Sequence, residues 1–335
     1  MAGFTRELGI DLGTNNTVIA EGNQVLWQQP TVVAIFEDEQ KMVEWGQSAK
    51  DMTGRVPENI KIISPLVHGV IAEYDITETM LHYLVRDICG RMFIFRPQLM
   101  LTIPYGATSV ESRAVHEAGL SSSRDVYLVQ QPLAAALGVD LPISTPSGNM
   151  VICLGGGTNQ SAVLAMNSII TAESDRNGGL RMDEAIIGYV RKKFGVIIGQ
   201  PTAEMVKIRI GAAVPQDDPQ SIEIQGQDQV SGLPKSVVLT TEDVVEALQE
   251  PLQDVVGLVK RVLEQTQPEM MSDIIDRGAA LCGGGALLRG IDRYLTKNLG
   301  IPAYLVDNPL TCTALGASRA LALRDSLRRS LPVVH

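Results

Sequence analysis

Cysteine and histidine are scarce, and neither follows a pattern that binds a metal. The four cysteines are Cys89, Cys153, Cys282 and Cys312. Their spacing includes no CxxC pair, so the sequence indicates neither a disulfide framework nor a zinc site. The four histidines are His68, His82, His116 and His335. No second ligand lies near any of them at metal spacing, and a protein of the reducing cytoplasm is the simplest interpretation.

The sequence also has fewer positive than negative charges, and it lacks long apolar runs. The 28 Lys and Arg residues are outnumbered by 38 Asp and Glu residues, which gives a formal net charge of −10. Sequence-independent binding to DNA needs clustered cations, so nucleic acid is not an expected partner. No stretch approaches the ~20 apolar residues that span a bilayer. The first residues, Met1 to Glu7, also leave no room for the apolar core of a signal peptide.

Two glycine-rich segments are the features around which the rest of the sequence is organised. In Leu8–Thr17 and in Val151–Gln160, an apolar run enters a tight turn of Gly, Thr and Asn, and a second apolar run follows at once. This pattern predicts two β-hairpins. Glycines at a hairpin tip expose backbone N–H groups that can bind phosphate oxygens. Each tip alone could be an ordinary turn, but two related tips could hold one polyphosphate from both sides.

The segments after the first hairpin predict alternating helices and strands. A strand is predicted at Pro30–Ile35 and a short helix at Gly46–Gly54. The apolar spacing between Thr77 and Cys89 predicts an amphipathic helix. A strand is predicted at Leu99–Pro104 and a helix at Ser109–Leu120. A buried strand at Val126–Val129 then leads to an Ala-rich helix that begins at Pro132.

The second half repeats this order. Helices are predicted from Met182 towards Phe194 and, capped by Thr202, from Ala203 to Ala213; a polar hairpin follows at Ser221–Leu239. A long amphipathic stretch starts at Thr240, with a possible kink at Pro251. Ala279–Cys282 is a strand that enters Gly283–Gly285 and a helix from Ala286. At 335 residues with 45% hydrophobic content, the sequence predicts a duplicated α/β domain with a ligand in the cleft between copies.

Four glycine-rich motifs resemble the nucleotide-binding motifs of the actin, sugar-kinase and heat-shock ATPase superfamily. They are Gly9–Thr14, Gly155–Thr158, Gly283–Gly290 and Pro309–Gly316. Within that superfamily the chain resembles the MreB family of bacterial actins. Smaller signatures support this closer match: Thr53–Ile60, Pro65–Ala72, Thr202–Gly211 and Ser231–Lys235. The resemblance extends from about Glu7 to Leu323.

The resemblance implies two actin-like, ribonuclease H-like domains, each with a smaller insertion subdomain, and a nucleotide cleft between them. The first domain would comprise residues 1–140 and 310–335, with its insertion at about 27–69. The second would comprise residues 141–309, with its insertion at about 177–240. The resemblance also implies ATP or ADP with Mg²⁺ as cofactors and head-to-tail protofilaments, possibly in antiparallel pairs. These would lie on the inner face of the plasma membrane with cell-wall elongation proteins as partners. Heterologous contacts of this kind generate open filaments.

Site residues are implied at the matching positions. Asp11 would bind Mg²⁺ through water. The first phosphate loop is Gly13, Thr14, Asn15 and Asn16, and the second is Gly155, Gly156, Gly157, Thr158 and Asn159. Glu204 and Lys207 share one helix face and could hold the ribose hydroxyls, although a solvated ion pair is the alternative. The α-phosphate and adenine would approach Gly283, Gly284, Gly285 and Ala286 at a helix N-terminus.

Three positions near the γ-phosphate depart from the family pattern. The family has Asp where this chain has Cys153, Glu at Gln160, and Glu-Glu-Pro where this chain has Gln130-Gln131-Pro132. An amide can orient water but cannot accept its proton, and a general base contributes about 10²–10⁴ in rate. Actin itself has Gln at the position of Gln131, and phosphoryl transfer depends mainly on positioning. We therefore expect Gln130, Gln131 and Gln160 to form a weakened catalytic site.

The segment Arg91–Arg96 predicts a membrane contact. It holds two of the five phenylalanines between cations, and a comparable apolar loop of the family inserts into the bilayer. Phe93 and Ile94 would be the inserted residues. Alternatively, Phe93 and Phe95 begin the following buried strand.

Other functions of the superfamily remain open at this point. A non-hydrolysing scaffold would keep the actin-like fold but would not hydrolyse nucleotide. A small-molecule kinase needs an acceptor pocket and a catalytic Asp, and neither is recognisable. A chaperone-like ATPase needs a substrate-binding domain, for which we see no segment. The sequence does not distinguish ATP from GTP.

Overall fold

Both halves of the protein contain strands and helices. The computed structural model describes residues 5–39, 41–90 and 96–333. The elements of the first half are β1 (Glu7–Leu12), β2 (Asn16–Glu21), β3 (Gln24–Pro30), β4 (Val33–Phe36), β5 (Lys41–Trp45), α1 (Gln47–Asp51), β6 (Ile60–Ile63), β7 (Leu66–Val67), β8 (Val70–Ile71), α2 (Tyr74–Cys89), β9 (Gln98–Ile103), α3 (Ser109–Leu120), β10 (Asp125–Gln130) and α4 (Gln131–Gly138).

The second half follows with the same kinds of element. They are β11 (Asn149–Leu154), β12 (Asn159–Ala165), β13 (Ser168–Asp175), α5 (Gly179–Phe194), β14 (Val196–Ile197), α6 (Gln200–Ile210), β15 (Ser221–Asp228), β16 (Pro234–Thr240), α7 (Thr241–Ala247), α8 (Gln249–Glu264), α9 (Pro268–Arg277), β17 (Ala279–Cys282), a 3₁₀ turn (Gly284–Leu287), α10 (Ile291–Leu299), β18 (Ala303–Leu305), α11 (Cys312–Ala322) and α12 (Arg324–Leu327).

Two five-stranded sheets share one topology. The first has the order β10-β9-β1-β2-β3, and the second has the order β18-β17-β11-β12-β13. In each sheet the central strand pairs antiparallel with its hairpin partner and parallel with the strand on its other side. Each half also carries a three-stranded sheet, β5-β4-β6 or β14-β15-β16. The duplicated α/β fold predicted from the sequence is therefore confirmed.

Helices α4 and α11 lie between the two large sheets. Their buried cluster includes Met100 and Val129 from the first sheet and Val151 and Ala280 from the second. The helices approach so closely that a Cβ atom at Gly316 would lie 1.7 Å from the carbonyl oxygen of Ala134. This crossing joins the halves on the side of the molecule that forms the floor of the cleft.

Most predicted elements are present, and four of the predictions need correction. β3 ends at Pro30 and β4 begins at Val33, because the Thr31 hydroxyl turns towards Gly13 and Thr17. α6 begins at Gln200 after Gly199, so Thr202 is not its cap; the early start suits a proline in the first turn. The helix ends at Ile210, short of the predicted Ala213.

Two further corrections concern the end of the second half. The long stretch from Thr240 is two helices, α7 and α8, that meet at Leu248, and Pro251 lies in the first turn of α8 where it needs no kink. Thr240 does cap α7, through reciprocal hydrogen bonds with Asp243. The helix predicted from Ala286 is a 3₁₀ turn, and α10 begins only after Gly290, whose φ is +73°.

Candidate functional site

The two hairpin tips line one cavity of about 440 Å³. The first tip contributes Asp11, Gly13, Thr14, Asn15 and Asn16, and the second contributes Gly155, Gly156, Gly157 and Thr158. The remaining predicted residues in its wall are Gln131, Gln160, Glu204, Lys207, Gly283, Gly284 and Gly285. The fold thus brings residues from five separate segments of the chain to one cleft.

Both tips are built in the same way. The N–H of Gly13 donates to the carbonyl of Asn16 at 3.1 Å, and the N–H of Gly155 donates to that of Thr158 at 2.9 Å. A Cβ atom at either glycine would lie within 2.7 Å of the accepting oxygen, so no other residue fits this turn without displacing backbone. The sequence repeat is therefore a repeat of backbone geometry.

The tips also contact each other. A Cβ atom at Gly157 would lie 2.3 Å from the Thr14 hydroxyl, and one at Gly156 would lie 2.6 Å from the side chain of Asn15. The Thr14 hydroxyl accepts a hydrogen bond from the N–H of Gly69 at 2.8 Å. Glycines in the second tip thus allow the first to approach closely, and both tips line the cavity.

A chain of hydrogen bonds crosses the floor of the cavity. Asp11 Oδ1 accepts from the Thr102 hydroxyl at 2.6 Å and from Gln131 Nε2 at 3.2 Å. The other end of the Gln131 amide, Oε1, accepts from Gln160 Nε2. The Gln160 oxygen in turn accepts from the N–H of Tyr105 at 2.7 Å. Burial raises the pKa of Asp11, although its two hydrogen bonds act in the opposite direction.

Glu204 and Lys207 face the cavity from α6, and each already has a partner. Lys207 Nζ lies 2.6 Å from Asp183 Oδ1 and donates to the carbonyl of Gly179 at 2.8 Å. Burial is the main effect that raises the pKa of Asp183, and the Lys207 charge opposes it. Glu204 Oε2 lies 2.8 Å from Nζ of Lys50, which belongs to α1 in the other half. The predicted ribose contact remains a prediction.

A second cavity, of about 780 Å³, adjoins the first on the side of α1 and α6. It shares Thr14, Asn15, Glu204 and Ile208 with the first cavity. The ion pair of Lys50 and Glu204 therefore bridges the two halves at the mouth of the cleft.

Three predicted residues lie outside the cavity wall. Asn159 donates through Nδ2 to the carbonyl of Asn177 at 2.7 Å and so supports the loop before α5. Ala286 is buried in the core of the second half. Gln130 ends β10 and precedes the Gln131 that reaches the floor. Phe93 and Ile94, predicted to contact a membrane, lie outside the described residues.

Sequence reasoning missed part of the wall. Met182, Ile208, Leu287, Leu288 and Leu310 provide an apolar surface, and Gly179, Gly211, Arg289 and Thr313 complete it. The pair Gly178-Gly179 could have been recognised in the sequence as part of the site, because it is a glycine turn at the start of helix α5. A Cβ atom at Gly178 would lie 2.6 Å from the carbonyl oxygen of Gly156. Leu287, Leu288 and Leu310 stand inside the motifs Gly283–Gly290 and Pro309–Gly316, but an apolar side chain does not by itself indicate that it faces a ligand.

The described residues contain neither a cluster of metal-binding side chains nor a membrane-spanning helix. Within them, no group of three or more His, Cys, Asp or Glu residues could hold a metal ion. None of the helices in these ranges is both long enough and apolar enough to cross a membrane.

Comparison with known proteins agrees with this geometry. The cell shape-determining protein MreB of Pasteurella multocida is 45% identical over 331 residues, which cover 96% of this chain and 94% of that protein. MreB 5 of Spiroplasma citri, solved bound to AMPPNP, has a TM-score of 0.91 at 29% identity and covers 98% of this chain and 99% of its own.

A more distant structure shares the fold. The double helical filament of MamK has a TM-score of 0.81 at 19% identity, covering 94% of this chain and 98% of its own. These likenesses confirm the predicted actin-like form of the duplicated domain. The family model described as MreB/Mbl protein matches residues 5–329. The chain therefore belongs to the MreB/Mbl family of actin-like proteins.

Proposed function

We propose that the cleft binds ATP or ADP and that occupancy of the cleft controls assembly of the chain into filaments. The observation that carries this proposal is the meeting of both glycine turns, Gly13–Asn16 and Gly155–Thr158, at one cavity. Their backbone amides suit phosphate oxygens. Glu204, Lys207 and the glycines at Gly283–Gly285 line the same cavity and would hold the ribose and base. The AMPPNP bound to the Spiroplasma relative supports the proposal.

The residues at the floor suit a magnesium ion held with the phosphates. Of the described residues that line the cavity, only Asp11 and Glu204 are acidic. Mg²⁺ keeps several waters and binds proteins through one or two carboxylates together with substrate phosphates. Asp11 at the floor would hold it through water, and the bound ion would neutralise phosphate charge. Asp11 is oriented for this role by Thr102 and Gln131.

We propose that hydrolysis is slow in this chain. The Gln131 amide contacts Asp11 at one end and Gln160 at the other, and the Gln160 oxygen already accepts from Tyr105. Neither amide can take a proton from an attacking water. The site thus retains groups that position the phosphates and lacks a carboxylate beside the attacking water. Gln130, outside the cavity wall, would not take part directly.

We further propose that the chain forms head-to-tail protofilaments, which can pair antiparallel, at the inner face of the cytoplasmic membrane. There they would act with cell-wall elongation proteins to organise cell shape. The name of the Pasteurella relative and the MamK filament support this assignment. In the filament the repeating unit would comprise one domain of residues 1–140 and 310–335 and another of residues 141–309, with insertions at about 27–69 and 177–240.

Electron microscopy and phosphate release test the proposal together. We expect filaments from the purified chain with ATP and Mg²⁺ and none without nucleotide. We expect phosphate release from those filaments to be about 10²-fold slower than from a family member that has the carboxylates. Filaments that form equally well without nucleotide would contradict the coupling. Phosphate release at the ordinary family rate would contradict slow hydrolysis but not the control of assembly by nucleotide.

The membrane proposal has its own test in Phe93 and Ile94, which lie in the segment that joins α2 to β9. Changing both to Ser should remove most binding to vesicles of anionic lipid in a co-sedimentation assay, because two buried apolar side chains contribute about 3–6 kcal/mol. Val110→Ser is the matched control, since Val110 is 75% exposed on α3. Unchanged sedimentation of the double variant would reject this segment as the anchor.

A further inference from the structure

Three of the four cysteines meet beneath the floor of the cleft. Cys153 on β11 and Cys282 on β17 are register partners in neighbouring parallel strands, and Cys312 is the first residue of α11. The thiols of Cys153 and Cys312 both influence the pKa of the Cys282 thiol. All three belong to the buried cluster between the large sheets. These cysteines, far apart in the sequence, thus form a row within one buried cluster.

Only one end of this row reaches the cavity. Cys153 lines the cavity and is 8% exposed, whereas Cys282 and Cys312 are at most 1% exposed. The hydrogen bond with Cys153, together with burial, raises the pKa of Cys282. The hydrogen bond with Cys282, together with burial, raises the pKa of Cys312. Because the thiolate is the reactive form of cysteine, the two inner thiols are protected and Cys153 is the accessible nucleophile.

The strand register places Cys153 and Cys282 at a separation suited to a disulfide. Partner residues on neighbouring strands lie about 4.8 Å apart, within the range of about 4.4–6.8 Å between Cα atoms that a disulfide requires. Both side chains point to the same face of the sheet, towards α4 and α11. A bond between adjacent strands departs from relaxed disulfide geometry, and strained disulfides are the readily reduced ones.

We propose that Cys153 is an oxidation site for hydroperoxides in the cleft and that Cys282 is its resolving partner. The Cys153 thiolate attacks the terminal oxygen of the hydroperoxide, the O–O bond breaks, and an alcohol or water leaves after protonation. Cys153 then carries a sulfenic acid. The neighbouring Cys282 thiol attacks the Cys153 sulfur, its proton passes to the departing hydroxide, the S–O bond breaks, and water leaves as the disulfide forms. Two electrons pass from the two thiols to the hydroperoxide.

Oxidation of Cys153 and binding of nucleotide would exclude each other, a consequence that rests on the proposed function of the cleft. Cys153 lines the same cavity as Asp11 and Gly155. A bound nucleotide would cover the thiol, and oxidation would alter the strand that carries the second glycine turn. We therefore expect nucleotide and oxidant to compete: ligand at about ten times its dissociation constant should slow the reaction about tenfold.

The experiment uses the full chain with Cys89→Ser, because Cys89 is the half-buried cysteine outside the row. Treatment with hydrogen peroxide, followed by peptide mass mapping without reductant, should show a peptide pair linked through Cys153 and Cys282. Adding Cys282→Ser should instead leave a sulfenic acid that dimedone traps on Cys153. Adding Cys153→Ser should abolish both products. A short pulse of N-ethylmaleimide should label Cys153 at least tenfold faster than Cys282 or Cys312.

Equal maleimide labelling of the three cysteines, or oxidation of Cys282 that persists at the same rate in Cys153→Ser, would overturn the proposal. AMPPNP binding, measured separately by calorimetry, distinguishes it from the proposed function. If AMPPNP fails to bind, the nucleotide site fails while the peroxide result still decides the cysteine assignment. If AMPPNP binds without slowing the labelling of Cys153, this thiol is not in the wall of the nucleotide site and the proposal falls.

Discussion

Gln160→Glu should raise phosphate release from filaments by about 10–100-fold. The new carboxylate would keep the hydrogen bond from the N–H of Tyr105, which is 2.7 Å long at the existing oxygen. It could no longer donate to Gln131, so the Gln131 amide would turn to donate towards it and weaken its contact with Asp11. We expect less than the full 10²–10⁴ of a general base because of this rearrangement. Single-turnover phosphate release measures the effect.

Gln130→Glu is the matched control for that experiment. It introduces the same charge one residue before Gln131, but Gln130 is outside the cavity wall. We expect its phosphate release to stay within about twofold of the parent, because a base acts only within hydrogen-bond reach of its water. If Gln160→Glu binds nucleotide normally yet releases phosphate no faster, the missing carboxylate at this position does not limit hydrolysis.

Gly316→Ala should destabilise the protein by about 3 kcal/mol or more. The added methyl group would lie 1.7 Å from the carbonyl oxygen of Ala134, where α11 crosses α4. No change of rotamer can move a Cβ atom, so the helices must separate, and overpacking of a core typically costs about 1–3 kcal/mol. The gain in helix propensity from Gly to Ala, about 1 kcal/mol, is smaller and does not reverse the sign. Urea denaturation measures the free energy of unfolding.

Gly188→Ala makes the same chemical change without the contact. Gly188 lies inside α5, and a Cβ atom there has no neighbour within 4 Å. We expect it to stabilise the protein by about 0.5–1 kcal/mol through propensity alone. Equal effects of the two substitutions would show that the crossing of α4 and α11 tolerates a wider separation than its geometry indicates.

The hairpins and the duplicated order were predictable because their signals are local. A glycine turn between two apolar runs, as at Gly155–Thr158, specifies its own backbone hydrogen bond. Helix ends were less predictable. Thr202 is a favourable cap by type, but the proline at position 201 suits a first turn, and the helix begins before both residues. The helix predicted to begin at Ala286 begins instead at Ile291, because Gly290 adopts a left-handed backbone conformation.

The partners of the site residues could not be predicted, because they come from distant segments. Lys207 meets Asp183 and the carbonyl of Gly179 only once α5 and α6 pack together. The row of Cys153, Cys282 and Cys312 depends on the register of β11 with β17 and on the start of α11. Sequence spacing showed three isolated cysteines, whereas the sheet makes them neighbours.

The ion pair between Lys50 and Glu204 joins α1 of the first half to α6 of the second. At the crossing of α4 and α11 the two halves are held by tight backbone packing, whereas α1 and α6 meet through a 2.8 Å pair of charges that are both partly exposed to water. Contacts of this kind weaken as dissolved salt screens them, and apolar packing does not. We therefore expect a rise in ionic strength to loosen the contact between α1 and α6 and to leave the crossing of α4 and α11 unchanged.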